Sequence, residues 1–490
     1  MLLISLVGVA IIYWPRADEV LIDPPELLPT EMVKSGWTAT GLANRFGGAI
    51  NAINTAAGTR HARLTYLPPS QIPQYDLSKE QGIVAKAVII LHDVFVGPNR
   101  RFILELTRID PDQIISECSG AISSLSKQEY QLHVHLVPSS ESHIECGGSV
   151  ATVVTDGAEW AVKRTNPFVL AAYYYSLGDR EKARDVARDI RSGGAPNEVP
   201  WALNLLGIIL MDDGLLEEAI GSFGEALAEA DKTGLTFWPA YASRGNAYLE
   251  ASDYQKALEN YKEAIRLEPQ EAGPYVGIGI TYLFLNDFEL AINSIDTAIR
   301  LNPVLAEAYF ARGLVAFQEG LRLERMGQIN SAFKFYADSA FDFRKAVNLD
   351  PDYADAHYYL GNAYYRQHLY EDSLLAFDAS IEIQPHFVEA YGGRGLVYLA
   401  IGARYEKSGD LMKAIPNWEA AADEFDKVLE RRANDANAYF FRGKARQHVG
   451  EYESAEKDFE TSLSLGPDSP DSVRAWLRCS RDKDSSCGSS

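Results

Sequence analysis

The best set of metal-ligating side chains in these 490 residues is His133, His135, His143 and Cys146. Two imidazoles two residues apart on a strand share one face. A further His and a thiol beyond a short turn could complete a tetrahedral zinc shell. The set has no carboxylate partner and no second cysteine at C-x-x-C spacing. An exposed strand face is the simpler account, and no metal is expected. Paired carboxylates such as Asp212-Asp213 fall where a turn between helices is expected, as solvated caps. GxxxxGK[ST], GxSxG and HExxH are absent, and Gly277 with Gly279 makes only a GxG. No catalytic residue and no cofactor follow, so the chain is expected not to be an enzyme.

Cysteine chemistry is the remaining candidate. Cys118, Cys146, Cys479 and Cys487 are too few for a disulfide framework in so long a chain. In an oxidising compartment Cys118 could pair with Cys146, and Cys479 with Cys487. The alternative is four independent thiols. The formal charge of −22 repels phosphate backbones, and no acidic tail accounts for it. Nucleic acid is therefore not an expected partner.

The elements that position side chains are dominated by a repeat. Stretches around Gly207, Gly245, Gly279, Gly313, Gly361, Gly395 and Gly443 align. Small residues follow twelve positions later (Ala219, Ala257, Ala291), then an aromatic or aliphatic residue (Phe223, Tyr261, Ile295), then another small one. Pro269, Pro303, Pro385 and Pro467 each lie 24 residues after their glycine. A period near 34 with this pattern predicts paired antiparallel helices stacked as a solenoid. Such units bury their apolar faces only against neighbours, so they offer extended surfaces. A degenerate first unit holds Ala171, Tyr174, Gly178 and Ala183, and complete ones begin near Pro200, Trp238, Ala272, Ala306, Ala354, Val388 and Ala436.

Two stretches of another kind precede the repeats. Met1 to Trp14 is apolar and uncharged, with Arg16 and then Asp18, Glu19, Asp23 and Glu26 after it. As a helix it spans about 21 Å, short of the ~30 Å hydrocarbon core. Residues 1–15 are expected to be a membrane anchor or a truncated signal-anchor, the alternative being a first buried element. Residues 20–165 mix periodicities and predict a small α+β domain. It would hold a helix at 38–55, strands at 84–96, 101–107 and 130–137, and a helix from about Ser149 to Arg164. The repeats then occupy 166–467, a capping helix 468–480, and a disordered tail 481–490.

AYASRGNAYLEASDYQKALENYKEAIRLEP and AYFARGLVAFQEG closely resemble tetratricopeptide repeats, a match of about 300 residues. VLIDPPELLP, GWTATGLANRFGGAINAI and TNPFVLAAYYYSLGD resemble a class of bacterial envelope proteins with an anchor, a small α/β domain and a tetratricopeptide array. The first resemblance implies an α-solenoid of about eight helix-turn-helix units. The second implies a single-pass membrane protein with its bulk outside the cytoplasm. The glycine-to-proline interval grows from 24 to 38 between Gly313 and Pro351, and again from Gly395 to Ala433. The turn glycines Gly327 and Gly409 shift by seven, so each helix of these two hairpins is predicted to gain seven residues. Leu321, Leu323, Met326, Phe333 and Phe335 decorate the first hairpin. Tyr405, Leu411, Met412, Ile415 and Trp418 decorate the second, and Pro416 should kink its second helix or mark its start.

The family resemblance also implies a binding face. Positions 2, 5, 9 and 12 of each first helix would line a concave groove for extended or helical peptides. They are Trp201, Asn204, Met211, Asn246, Leu249, Phe310, Phe317, Tyr358, Asn362, Tyr365, Phe440 and Lys444. The Lys/Asn/Lys/Arg set by which some relatives clamp a terminal carboxylate is missing. A neutral or basic peptide or protein partner is expected, held by rings and amides, with Phe310, Tyr358, Asn362 and Tyr365 at the centre. The expected function is a membrane-tethered interaction scaffold. The alternatives are a ligand-binding or catalytic α+β module with regulatory repeats, and a cytoplasmic adaptor.

Overall fold

The computed structural model describes residues 22–23, 101–109, 129–137, 142–147, 156–157, 159–160, 162–164 and 166–482. The predicted anchor, the helix at 38–55 and the strand at 84–96 lie outside the described residues. The chain divides after Thr281 into two compact units.

In the first unit the described strands form a sheet in the order β1 (Ile22–Asp23), β2 (Arg101–Ile109), β3 (Glu129–Val137), β4 (Ser142–Gly147). β1 runs parallel to β2, and the other neighbours pair antiparallel. His133 is opposite Ile144, Val134 opposite His143, and Gln131 opposite Cys146. Alternation along paired strands therefore puts the register positions of His133 and His135 on the face opposite that of His143. That splits the metal-ligand set considered above. Residues 156–157, 159–160 and 162–164 are helical.

Helices α1 (Pro167–Ser176) and α2 (Arg180–Gly193) form the degenerate first pair. The Asn166 side chain accepts from the Val169 N–H, and Pro167 follows it at the first helical position, where its missing N–H costs nothing. The unit continues with α3 (Val199–Asp212), α4 (Leu216–Thr233), α5 (Trp238–Glu250) and α6 (Tyr254–Leu267), and α7 (Gly273–Phe284) crosses the division. The repeat glycine of the first helix meets the ring of the second. A Cβ on Gly207 would lie 2.5 Å from Phe223, and one on Gly245 2.7 Å from Tyr261. The same edge of the Tyr261 ring also lies against Gly277. One ring thus sets the spacing to its own partner helix and to the next.

The second unit holds α8 (Phe288–Leu301), α9 (Ala306–Arg325), α10 (Ile329–Leu349), α11 (Ala354–Arg366) and α12 (Tyr370–Ile383). α13 (Val388–Lys407), α14 (Leu411–Arg431), α15 (Ala436–Val449), α16 (Tyr452–Leu465) and α17 (Pro470–Arg481) complete it. The same contact recurs between Gly313 and Phe343, Gly361 and Phe377, and Gly443 and Phe459. α9/α10 and α13/α14 are 20 and 21 residues long, against 13 and 14 for α5 and α6. Each helix has the seven extra residues anticipated. The inserted heptads carry their own copy of the contact, Gly320 against Tyr336 and Gly402 against Trp418. A seven-residue step returns to nearly the same helix face, so the device repeats two turns further out.

Pro416 lies inside α14, which begins at Leu411. It therefore does not mark the helix start. α17 reaches Arg481, which pairs with Glu456 and Glu460, so the helix runs one residue past the expected boundary. Residues 483–490 lie outside the described set. Every hairpin turn needs a left-handed residue, and Ser252, Asn286 and His368 fill it where glycine does not.

A methyl group on Gly313 would meet Phe343 at 2.7 Å. Gly313→Ala is expected to cost about 1–3 kcal/mol, read as a lower urea midpoint of the helical signal. An unchanged midpoint would remove the glycine–ring contact as the determinant of spacing.

Candidate peptide-binding face

In the first unit the anticipated groove residues are largely engaged in packing. The Trp201 ring on α3 sits 4.7 Å from Phe237 and 5.8 Å from Phe168. Asn204 is buried, with no hydrogen-bond partner at its Oδ1 among the described residues. The Asn246 Oδ1 on α5 accepts from the Tyr261 hydroxyl at 2.7 Å. Met211 and Leu249 are half-buried.

The second unit brings its candidates closer together. Phe310 on α9 lies 5.6 Å from Tyr359 on α11, Tyr359 5.1 Å from Tyr358, and Tyr358 5.0 Å from Phe387. A continuous string of rings thus crosses from one repeat to the next two. Phe310, Tyr358, Asn362 and Tyr365 are half-buried, each keeping an accessible surface. The Asn362 Nδ2 donates to the Tyr358 carbonyl at 3.1 Å, which fixes the amide one turn along the same face. Burial raises the Tyr358 and Tyr365 hydroxyls above the usual phenol range, so both stay protonated and act as neutral donors. Phe317 and Phe440 are buried at 7% and 9% exposure, their surfaces spent against Tyr336 and Phe459.

Lys444 stands apart, on α15. Its ammonium lies 5.0 Å from the Trp476 ring centre and 5.7 Å from that of Phe440, with no carboxylate partner among the described residues. Burial lowers its pKa. One turn on, His448 stacks on Trp418 at 4.4 Å and meets the edge of Trp476 at 5.5 Å. Glu406 lies 3.7 Å away, yet burial, with the Lys444 charge adding, pushes His448 down to about 4.

An arginine ladder behind this face was missed in the sequence. Arg312 donates to both Asp342 oxygens at 2.7 and 2.8 Å and to Asp296 of the preceding repeat at 2.9 Å. Arg442 joins both oxygens of Asp458 to Asp426 in the same way, and Arg394 joins one oxygen of Glu424 to Asp378. Each guanidinium lies over a tyrosine three residues earlier, Tyr309, Tyr391 or Tyr439. In the first unit Arg244 bonds Asn260 and covers Tyr241. The signal was present as a recurring Y-x-x-R-G, whose arginine immediately precedes the repeat glycine.

Models of the tetratricopeptide repeat match residues 238–271, 276–321, 354–387 and 399–470, and a TPR repeat model matches 336–367. These segments are tetratricopeptide repeats. The chain is 26% identical over 120 residues to rat serine/threonine-protein phosphatase 5, covering 24% of this chain and 21% of that one. The chain thus spans about a fifth of the length of that relative. A tetratricopeptide repeat protein from Parabacteroides merdae is 21% identical, with a TM-score of 0.37 over 58% of this chain and 98% of that one. YrrB, described as having an unusual peptide-binding site, is 24% identical, with a TM-score of 0.26 over 38% and 87%. Among the described residues no group of side chains could hold a metal ion, and no helix is long and apolar enough to cross a membrane.

His448 is neutral in the fold down to about pH 4 but protonates near 6.5 in the unfolded chain. The unfolded state then binds more protons between these values, so this stability is complete above 6.5 and is lost as pH falls toward 4. Unfolding midpoints should drop between pH 7 and 5, and His448→Gln should flatten that slope. An equal slope in the variant would assign the loss to other groups.

Proposed function

We propose that this protein is a membrane-tethered interaction scaffold that holds a peptide or protein segment on the exposed side of α9 and α11. Tetratricopeptide repeats generally mediate protein–protein contacts. The observation that carries the reading is the ring string from Phe310 to Phe387, with Asn362 and Tyr365 beside it. Each ring has one side packed against its own fold and an edge left for a partner's apolar side chain. Asn362 keeps hydrogen-bonding capacity beyond its bonds to the carbonyl and side chain of Tyr358, suited to a peptide backbone.

Charge supports a neutral or basic partner. Glu307, Asp355 and Glu389 occupy the second position of three consecutive first helices. Burial holds the Asp355 carboxyl above its usual range, with the charge of Glu389 adding to the effect. A cationic group on the partner placed beside Asp355 would favour its ionised form. The uncharged run at 1–14 supports the tether, and the sheet-forming stretch lies between it and the repeats. A pairing of Cys479 with Cys487 would fit an oxidising compartment outside the cytoplasm.

A photo-crosslinking residue at position 362, used in intact cells, should capture a defined partner. Tyr358→Ala with Tyr365→Ala should reduce capture about fivefold or more, roughly 1 kcal/mol, while the helical signal is kept. Unchanged capture by a folded double variant would move the site elsewhere. Location is tested separately, with protease added to intact spheroplasts. Digestion of the repeats is expected, and full protection would refute the outside topology.

A further inference from the structure

The two long hairpins end in apolar side chains that neither their own packing nor the ring string uses. Of the residues that decorate them, Leu323 and Trp418 are buried and Leu321, Phe333, Phe335 and Tyr405 half-buried. At the first tip Met326 is 58% and Ile329 48% exposed. At the second Leu411, Met412 and Ile415 are 53%, 87% and 39% exposed. Single exposed apolar side chains need no explanation, but two clusters at the ends of two inserted segments do.

Both tips stand proud on one edge of the second unit. The turn of the intervening repeat, between α11 and α12, lies alongside the shafts of both hairpins. Phe333 covers His368 at 5.6 Å, and Arg366 reaches Glu324 at 3.3 Å. From the other side Arg404 bonds Glu371 at 2.8 Å and lies over Tyr370. The apolar tips therefore extend beyond this turn on both sides, by about the 10 Å that seven residues add. A projecting knob has no concavity in which to enclose a protein side chain.

The charge around the tips is opposite to that of the chain. Arg322, Arg325 and Lys334 outnumber Glu319 and Glu324 at the first tip, and Arg404, Lys407 and Lys413 outnumber Glu406 and Asp410 at the second, so each carries one net positive charge in a protein of net charge −22. Arg325, Lys334 and Lys407 have no carboxylate partner among the described residues. Of the nearby acids, Glu319 pairs with Arg322, Glu324 with Arg366, and Asp410 caps α14 and pairs with Lys413, while Glu406 faces the neutral His448. Exposed Met, Leu and Ile beside a local excess of cations, with Arg325, Lys334 and Lys407 unpaired among the described residues, fit the headgroup layer of an anionic bilayer.

We infer that the tips at Met326–Ile329 and Leu411–Ile415 dip into the surface of an anionic membrane and seat the second unit on it. This contact is separate from the proposed tether in residues 1–15, and it stands or falls without it.

The test uses the full chain with an environment-sensitive fluorophore placed in turn at positions 326, 412 and 471. Position 471 lies at the start of α17 and serves as the control. Vesicles are phosphatidylcholine alone, or with about one-third phosphatidylglycerol. A blue shift with quenching by a lipid-borne quencher is expected at 326 and 412 on anionic vesicles only, and none at 471. Replacing Ile329, Leu411 and Ile415 together by Ser should reduce the lipid quenching at 326 and 412 about tenfold, and high salt should reduce that of the parent chain. These side chains are exposed, so the helical signal should be retained. The inference is overturned if the tip probes stay unshifted, or respond equally to neutral vesicles. It is equally overturned if the serine variant keeps the parent's lipid quenching at 326 and 412, whatever the overall partition of the chain. A tip shift that needs no vesicle and grows with protein concentration would point to a second copy of the chain and refute the lipid contact.

Discussion

The close approach of a glycine to an aromatic ring sets the geometry on which the rest of this protein depends. Phe223, Tyr261, Phe343, Phe377 and Phe459 fill the space where a side chain on the facing helix would stand. Each is at most 1% exposed and contributes its full apolar area to the stack. The contact is intolerant in both directions. A larger residue at the glycine pushes the helices apart, and a smaller one at the ring leaves a cavity. Because the two residues face each other at a fixed offset, inserting one heptad in each helix recreates the pairing further out, as Gly320–Tyr336 and Gly402–Trp418 show.

Around this apolar pairing the arginine ladder adds direction. Van der Waals packing between helices tolerates small slips, whereas a guanidinium held by carboxylates from two successive repeats does not. Arg312, Arg394 and Arg442 are each partly desolvated, and the acids Asp342, Glu424 and Asp458 are nearly inaccessible. Removing one partner would strand a buried charge, so the ladder penalises wrong registers more than it adds stability.

The same architecture decides what remains for binding. Rings are needed to close hairpins and to join repeats, and Trp201 is committed to the second task and Phe317 and Phe440 to the first. The ring string from Phe310 to Phe387 spans a junction where aromatic side chains exceed what the core can absorb, which leaves their edges accessible. The inserted heptads do the same for aliphatic side chains. Their inner residues close on Tyr336 and Trp418, while the tips beyond have no neighbouring repeat of matching length to cover them.

The sequence by itself determined the repeat, its period, the helix pairs and the two seven-residue extensions. These depend on local spacing, with glycine, small and aromatic residues at constant intervals and turn glycines displaced by seven. It also carried the Y-x-x-R-G signal, whose meaning requires carboxylates 16 and 30 residues away and so is not local. Only the tertiary structure decided which candidate rings are spent in packing, because that depends on the helix behind each one and not on its position in the repeat. Phe310 and Phe317 lie seven residues apart on one helix, yet one keeps an accessible surface and the other is 7% exposed. Tyr336, supplied by the inserted heptad of the facing helix, is the neighbour against which Phe317 is buried.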